Sequence, residues 1–119
     1  MATYPLKKYR LKGKEFEEVL KKGKGFRVGN LVLKKLEGGE EKKFGFLISK
    51  KVLKKATQRN KLKRRLREIL REKVEKIKEG TRVIFITLPG LEKKDFRELK
   101  EIFERLLKKS KLVENESSF

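Results

Sequence analysis

The chain contains no cysteine and no histidine. The first absence excludes disulfides, thiolate nucleophiles and cysteine-ligated metals. The second removes imidazole bases, histidine-containing catalytic triads and histidine-ligated zinc. Aspartate occurs once, at Asp95, and the other acidic residues are Glu scattered among Lys and Arg. Glu68, Glu72, Glu75 and Glu79 follow a three-to-four spacing beside Arg65, Arg71, Lys76 and Lys78, the pattern of solvated ion pairs on a helix. No carboxylates have a metal-ligand spacing, and no glycine-rich stretch matches a nucleotide-binding loop. Ser49 has no base beside it to activate it. No catalytic residue and no metal ligand is therefore expected. There is no apolar run of about 18 residues, the length a membrane-spanning helix needs. The opening residues, MATYPLKKYR, do not read as a secretory signal.

Charge of one sign is what the chain has in excess. Among 119 residues there are 36 Lys and Arg against 17 Asp and Glu, a formal charge of +19. A small fold holding that charge repels itself unless a polyanion neutralises it. Nucleic acid is the expected partner, ahead of an anionic membrane surface. The Lys/Glu richness, with little Gln, Met or Asp, also suits a thermophile. Thermophilic enrichment adds both signs, however, and so does not explain the excess of one.

The length suits a single domain with one modest core. Residues 1–12 read as a basic, extended lead-in and residues 113–119 as a flexible tail. Phe16, Val19 and Leu20 make a short helical stripe that Gly23 closes. Phe26 to Leu36 reads as one strand with a bulge at Gly29. Glu37 to Lys43 reads as a hairpin turn. Phe44 to Lys50 is a second strand, with Phe44, Phe46 and Ile48 on one face and bare backbone at Gly45 on the other. Arg82 to Leu88 is nearly continuous β-branched and aromatic sequence, the mark of the most buried strand. A last helix starts between Glu92 and Asp95, carries Phe96, Leu99, Ile102, Phe103, Leu106 and Leu107, and ends near Lys109. The predicted order is α-β-β-α-β-α, an α+β sandwich.

The densest charge lies in ATQRNKLKRRLREILR, Ala56 to Arg71. On a helical wheel with Leu66 at zero, Leu62, Ile69, Leu70, Val74 and Ile77 fall within about 80°. Asn60, Arg64, Arg67 and Arg71 gather at roughly 100–160°, with Lys63 at the border. One side packs on a core and the other shows a cationic strip. Asn60 adds a neutral donor and acceptor within that strip. The basic connector SKKVLKK, Ser49 to Lys55, runs straight into this predicted helix, which is expected to reach about Lys78. Candidate RNA-contacting residues are Lys50, Lys51, Lys55, Arg59, Asn60, Lys61, Lys63, Arg64, Arg67 and Arg71.

Together these residues form a pattern, SKKVLKKATQRNKLKRRLRE, that resembles the protein subunit of bacterial ribonuclease P. Its signature is an Arg-Asn-Arg/Lys triplet, then Lys-Arg, then Arg-Glu/Gln. Here those positions are Arg59, Asn60, Lys61, Lys63, Arg64, Arg67 and Glu68. The resemblance covers nearly the whole chain, including the lead-in with Arg10-Leu11 and the first helix with Phe16 and Gly23. Three positions depart from the family pattern: Leu20 and Lys34 where aromatics are frequent, and Lys54 where Gly is common.

The resemblance implies a single-domain sandwich with a left-handed βαβ crossover around the motif helix. It also implies an RNA catalyst that uses Mg²⁺, held mainly by that RNA, to remove the 5′ leader of precursor tRNA. The protein would bind the RNA through the motif helix and strengthen Mg²⁺-dependent substrate binding. It would hold the single-stranded leader in a cleft formed by Phe16, Leu20, Lys34 and Phe46. The expected partners are ribonuclease P RNA and precursor tRNA, in the cytoplasm, with no membrane and no protein partner. Charge and topology also allow a structural ribosomal-type or general RNA-binding protein without a part in cleavage. A stand-alone nuclease would instead cleave without RNA.

Overall fold

A computed structural model describes residues 6–48 and 53–113. Three helices pack on one mixed four-stranded sheet. The helices are α1 (Gly13–Lys22), α2 (Ala56–Lys73) and α3 (Phe96–Lys109). The strands are β1 (Lys24–Val28), β2 (Leu31–Glu37), β3 (Lys43–Leu47) and β4 (Thr81–Thr87). Their spatial order is β1-β2-β4-β3. β4 pairs antiparallel with β2 and parallel with β3.

β4 is the buried centre that its sequence foretells. Val83 and Phe85 face one side and Ile84 the other, and all three are fully buried. On the first side α2 and α3 close the main core, where Leu62, Leu66, Ile69 and Leu70 meet Leu33, Phe44, Phe85 and Phe103. Phe85 stacks between Phe46 and Phe103, with ring centroids 5.5 and 4.5 Å away. On the second side α1 lays Phe16, Val19 and Leu20 over Ile84, Ile86, Leu36 and Leu11.

Two predicted turns are corrected. The stretch from Phe26 to Leu36 is not one bulged strand. It folds back at Gly29-Asn30, so that Val28 faces Leu31 across a two-residue turn. Gly29 takes φ +57°, and a glycine at the first turn position supplies that conformation without a Cβ clash. Glu37 to Lys43 is not a hairpin either, because β4 lies between β2 and β3. Gly39 instead donates its N–H to the Gly80 carbonyl at 2.9 Å. A Cβ on Gly80 would lie 2.7 Å from the Gly39 carbonyl oxygen. The glycine pair lets two loops touch. The element order is thus α-β-β-β-α-β-α.

Smaller differences concern element ends. The lead-in is not wholly extended: a 3-10 turn covers Leu6–Tyr9, and Arg10 then bridges to Phe44 on β3. Tyr9 meets the Phe44 ring edge-on at 6.3 Å, so it packs against β3. α2 stops at Lys73 and continues as a 3-10 turn, Val74–Lys76, short of the expected Lys78. Lys42 is buried and donates to the carbonyls of Val74 at 2.7 Å and Ile77 at 3.3 Å. It therefore closes the end of α2, where unpaired carbonyls need a donor. α3 opens on a capping box of Asp95 and Glu98. Val113 is buried in the core. The remaining tail positions, together with Tyr4 and Ser49, lie outside the described residues.

Leu66 is fully buried at the centre of the α2 stripe. Leu66→Ala is expected to lower stability by about 2–5 kcal/mol, measured by chemical denaturation. A negligible loss would mean that the stripe carries no core.

Candidate nucleic-acid interface

α2 presents eight Lys and Arg against Glu68 and Glu72. Its apolar stripe is pinned to the sheet, which fixes the cationic side outward. Asn60, Lys61, Arg64 and Arg71 are exposed, whereas Lys63 and Arg67 are half-buried. Arg59 is held differently. Its guanidinium donates to the carbonyls of Leu53 at 2.7 Å and Lys54 at 2.8 Å. It clasps the connector to the first turn of α2, as its position on the apolar side of the wheel requires. Lys55 is exposed at the helix start. Lys50 and Lys51 lie outside the described residues.

Beside α2 is a cavity of about 460 Å³. It opens along β3, an edge strand of the sheet. The wall from α2 comprises Lys63, Arg67, Leu70 and Arg71, and Phe16 of α1 stands on the other side. Phe44, Gly45 and Phe46 form the floor, and Arg10 and Leu11 close one end. All the charged side chains of this lining are cations. Partial burial, and then the Arg67 and Arg10 guanidiniums, push the Lys63 ammonium below the ordinary lysine value. A phosphate entering the cavity would relieve that repulsion.

Gly45 explains the posture of Phe16. A Cβ at Gly45 would lie 2.7 Å from Phe16 Cε2 and 3.0 Å from Cδ2. The ring therefore fills the space that a side chain at Gly45 would take. α1 is held down by ions as well as by packing. Lys43 pairs with Glu15 at 3.1 Å, and Arg82 pairs with Glu18 at 3.4 Å.

Of the four cleft residues predicted from sequence, Phe16 and Phe46 line the cavity and Leu20 and Lys34 do not. Leu20 packs under α1 against the sheet. Lys34 donates its ammonium to the Leu20 carbonyl at 2.6 Å, closing the C-terminal end of α1. The sequence reading missed Arg10 and Gly45 as parts of this site. Gly45 had a signal, a glycine at a strand position opposite two aromatics. Arg10 stood out only as part of the lead-in that resembles the family, and its bridge to β3 is what brings it there.

Among the described residues no three acidic side chains converge as a cation site, and no helix is long and apolar enough to cross a membrane. The cationic lining does not fit a divalent metal, which it would repel.

Known proteins resemble this chain in sequence and in fold. A family model described as ribonuclease P matches residues 6–111. The ribonuclease P protein component of Synechocystis sp. is 38% identical over 95 residues, 75% of this chain and 77% of that protein. That of Dictyoglomus turgidum is 33% identical over 111 residues, covering 90% and 92% of the two chains. The RNase P protein of Staphylococcus aureus superposes with a TM-score of 0.80 at 25% identity, over 88% of this chain and 97% of that one. The Thermotoga maritima RNase P protein gives 0.73 at 28% identity, over 92% and 97%. With a signature helix, a sheet and a family match that all run through the same residues, the chain belongs to the ribonuclease P protein family.

Proposed function

We propose that this subunit of ribonuclease P binds the catalytic RNA through the exposed strip of α2 and holds the single-stranded 5′ leader of precursor tRNA in the cavity beside Phe16. The observation that carries this reading is the cavity itself, an aromatic ring facing a wall of cations on a strand edge. Bases stack on rings and phosphates seek cations, and a single strand offers both at once. On α2, Asn60, Lys61 and Arg64 face solvent, with Lys55 at the entry to the helix. Lys50 and Lys51 join them by sequence position.

The protein contributes position and charge rather than bond chemistry. Holding the leader converts part of substrate binding into a step already paid for in orientation. Screening two polyanions from each other also lets Mg²⁺ occupy its sites at lower concentration. The RNA holds that metal in this reading, since the cleft residues of the protein are cations. The protein works where precursor tRNA is processed, in the cytoplasm. The absence of histidine and cysteine and the scarcity of buried carboxylates weigh against a stand-alone nuclease.

Added to ribonuclease P RNA and precursor tRNA at low Mg²⁺, the folded protein is expected to raise the rate of 5′ cleavage. No gain would favour a general RNA-binding role, and cleavage without the RNA would favour a protein nuclease. Arg64→Ala is expected to weaken binding of ribonuclease P RNA by about 1–3 kcal/mol with an unchanged melting temperature. Unchanged affinity in a filter-binding titration would remove Arg64 from the interface. Phe16→Ala is expected to cost about 1–3 kcal/mol of affinity for leader-bearing substrate and less for mature tRNA. Equal losses on the two substrates would make Phe16 a core residue only.

A further inference from the structure

The sheet has a second edge, β1, on the side away from the cavity. Residues 19–36 hold six Lys and Arg and no acidic residue, and residues 105–113 hold four and none. The fold joins these two stretches. Lys109 of α3 donates its ammonium to the Arg27 carbonyl of β1 at 2.9 Å. Lys24, Arg27, Arg105 and Lys109 are exposed. None of the four makes an ion pair with a carboxylate among the described residues. A cation in the last turn of a helix offsets its dipole, which accounts for Lys109 but not for Lys24 and Arg27 on a strand. The ammoniums of Lys24 and Lys35 both stand over the Phe26 ring, 5.5 and 5.6 Å from its centroid. Glu37 offsets Lys35 at 3.2 Å. β1 also presents backbone. Across the two-residue turn Val28 and Leu31 form a hydrogen-bonded pair, so the N–H and C=O groups of Arg27 and Gly25 point away from β2. The Lys109 bond to Arg27 has that direction. A Cβ on Gly25 would meet nothing within 4 Å, so an anion can approach its N–H closely.

We propose that the β1 edge and the C-terminal half of α3 form a second RNA-binding surface, which takes the phosphate backbone of an RNA duplex. The surface carries charge but no open ring. Phe26 is half-buried, packs on the main core and lies under two ammoniums. A single strand gains affinity by stacking its bases, and this edge gives it nothing to stack on. A duplex turns phosphates outward and keeps its bases inside, which suits Lys, Arg and backbone N–H groups. Strand pairing with a second copy is disfavoured, because Lys109 occupies the Arg27 carbonyl and two chains of charge +19 repel each other. The proposal does not depend on where the leader lies. It makes the protein a spacer with phosphate-binding surfaces at both edges of one sheet. The catalytic RNA and the body of tRNA both contain duplex, and two titrations tell them apart.

Lys24→Ala/Arg27→Ala and, on the other element, Arg105→Glu are compared with wild type over a range of salt concentrations. In one titration the protein binds ribonuclease P RNA, and in the other mature tRNA binds the reconstituted holoenzyme. Each variant is expected to lose about five- to tenfold in affinity in at least one titration. The double variant is expected to flatten the slope of log K against log salt by about 2. Loss in the first titration assigns the duplex to the catalytic RNA, and loss in the second alone assigns it to tRNA. The advantage of leader-bearing precursor over mature tRNA is expected to stay as in wild type. Arg27→Lys is expected to bind like wild type, since a phosphate asks only for charge. Arg105→Glu, an exposed change on α3, carries the test if the double variant melts early. Unchanged affinity and slope in both titrations would overturn the proposal and leave the edge a solvated surface. A loss confined to the leader's advantage would overturn it as well. So would a change of oligomeric state in sedimentation with RNA affinity intact, which would make β1 a contact between copies.

Discussion

The parallel pairing of β3 with β4 is the constraint on which the rest depends. Parallel neighbours cannot be joined by a tight turn, so the chain must leave the sheet and return. α2 is that return path. Its apolar stripe must cover the face of Phe44 and Phe85, which turns Asn60, Lys61, Arg64 and Arg71 outward. The position of β3 at an edge adds the second consequence. Beyond it runs only the lead-in, bridged at Arg10 to Phe44, and α1 on one face and α2 on the other leave a cavity beside that edge. The cavity is a by-product of strand order.

Charge does the rest. Most of the excess positive charge sits in α2, in the basic connector before it and in the lead-in, and the fold brings α2 and Arg10 to one place. Such a concentration costs the isolated protein stability through self-repulsion, which a polyanion removes. The cost is tolerated because the core does not share it. Lys42 and Lys73, the buried cations, are each paired, Lys42 with Glu79 at 3.4 Å and Lys73 with Glu104 at 3.5 Å.

The helices were legible because their period is local. Phe16 to Leu20, Leu62 to Leu70 and Phe96 to Leu107 each repeat at helical spacing, and each lies where that spacing put it. β4 was legible because a strand covered on both faces needs apolar residues at every position. The β1–β2 turn was misread. Val-Gly-Asn-Leu reads equally as a bulge or as a two-residue turn, and only the pairing partners decide. The Gly-Gly segment was misread for a related reason. A glycine pair signals permissive backbone, and the same permission serves a hairpin or a close approach of two loops.

The sequence by itself determined the chemical character of the protein: a large cationic excess with no histidine or cysteine, an RNA partner, and a signature helix with one apolar and one cationic side. These follow from residue types and from a periodicity that spans a few turns. The tertiary structure decided which cations work together. Lys63, Arg67 and Arg71 face Phe16 across an edge strand, and Arg10 joins them from a segment more than fifty residues away in the chain. It also placed Leu20 and Lys34 outside the lining of this cavity, by packing one under α1 and tying the other to a carbonyl of that helix. Such groupings depend on strand order and on the depth to which a ring sinks against Gly45. Both are set by contacts between residues far apart in the chain, which no local pattern encodes.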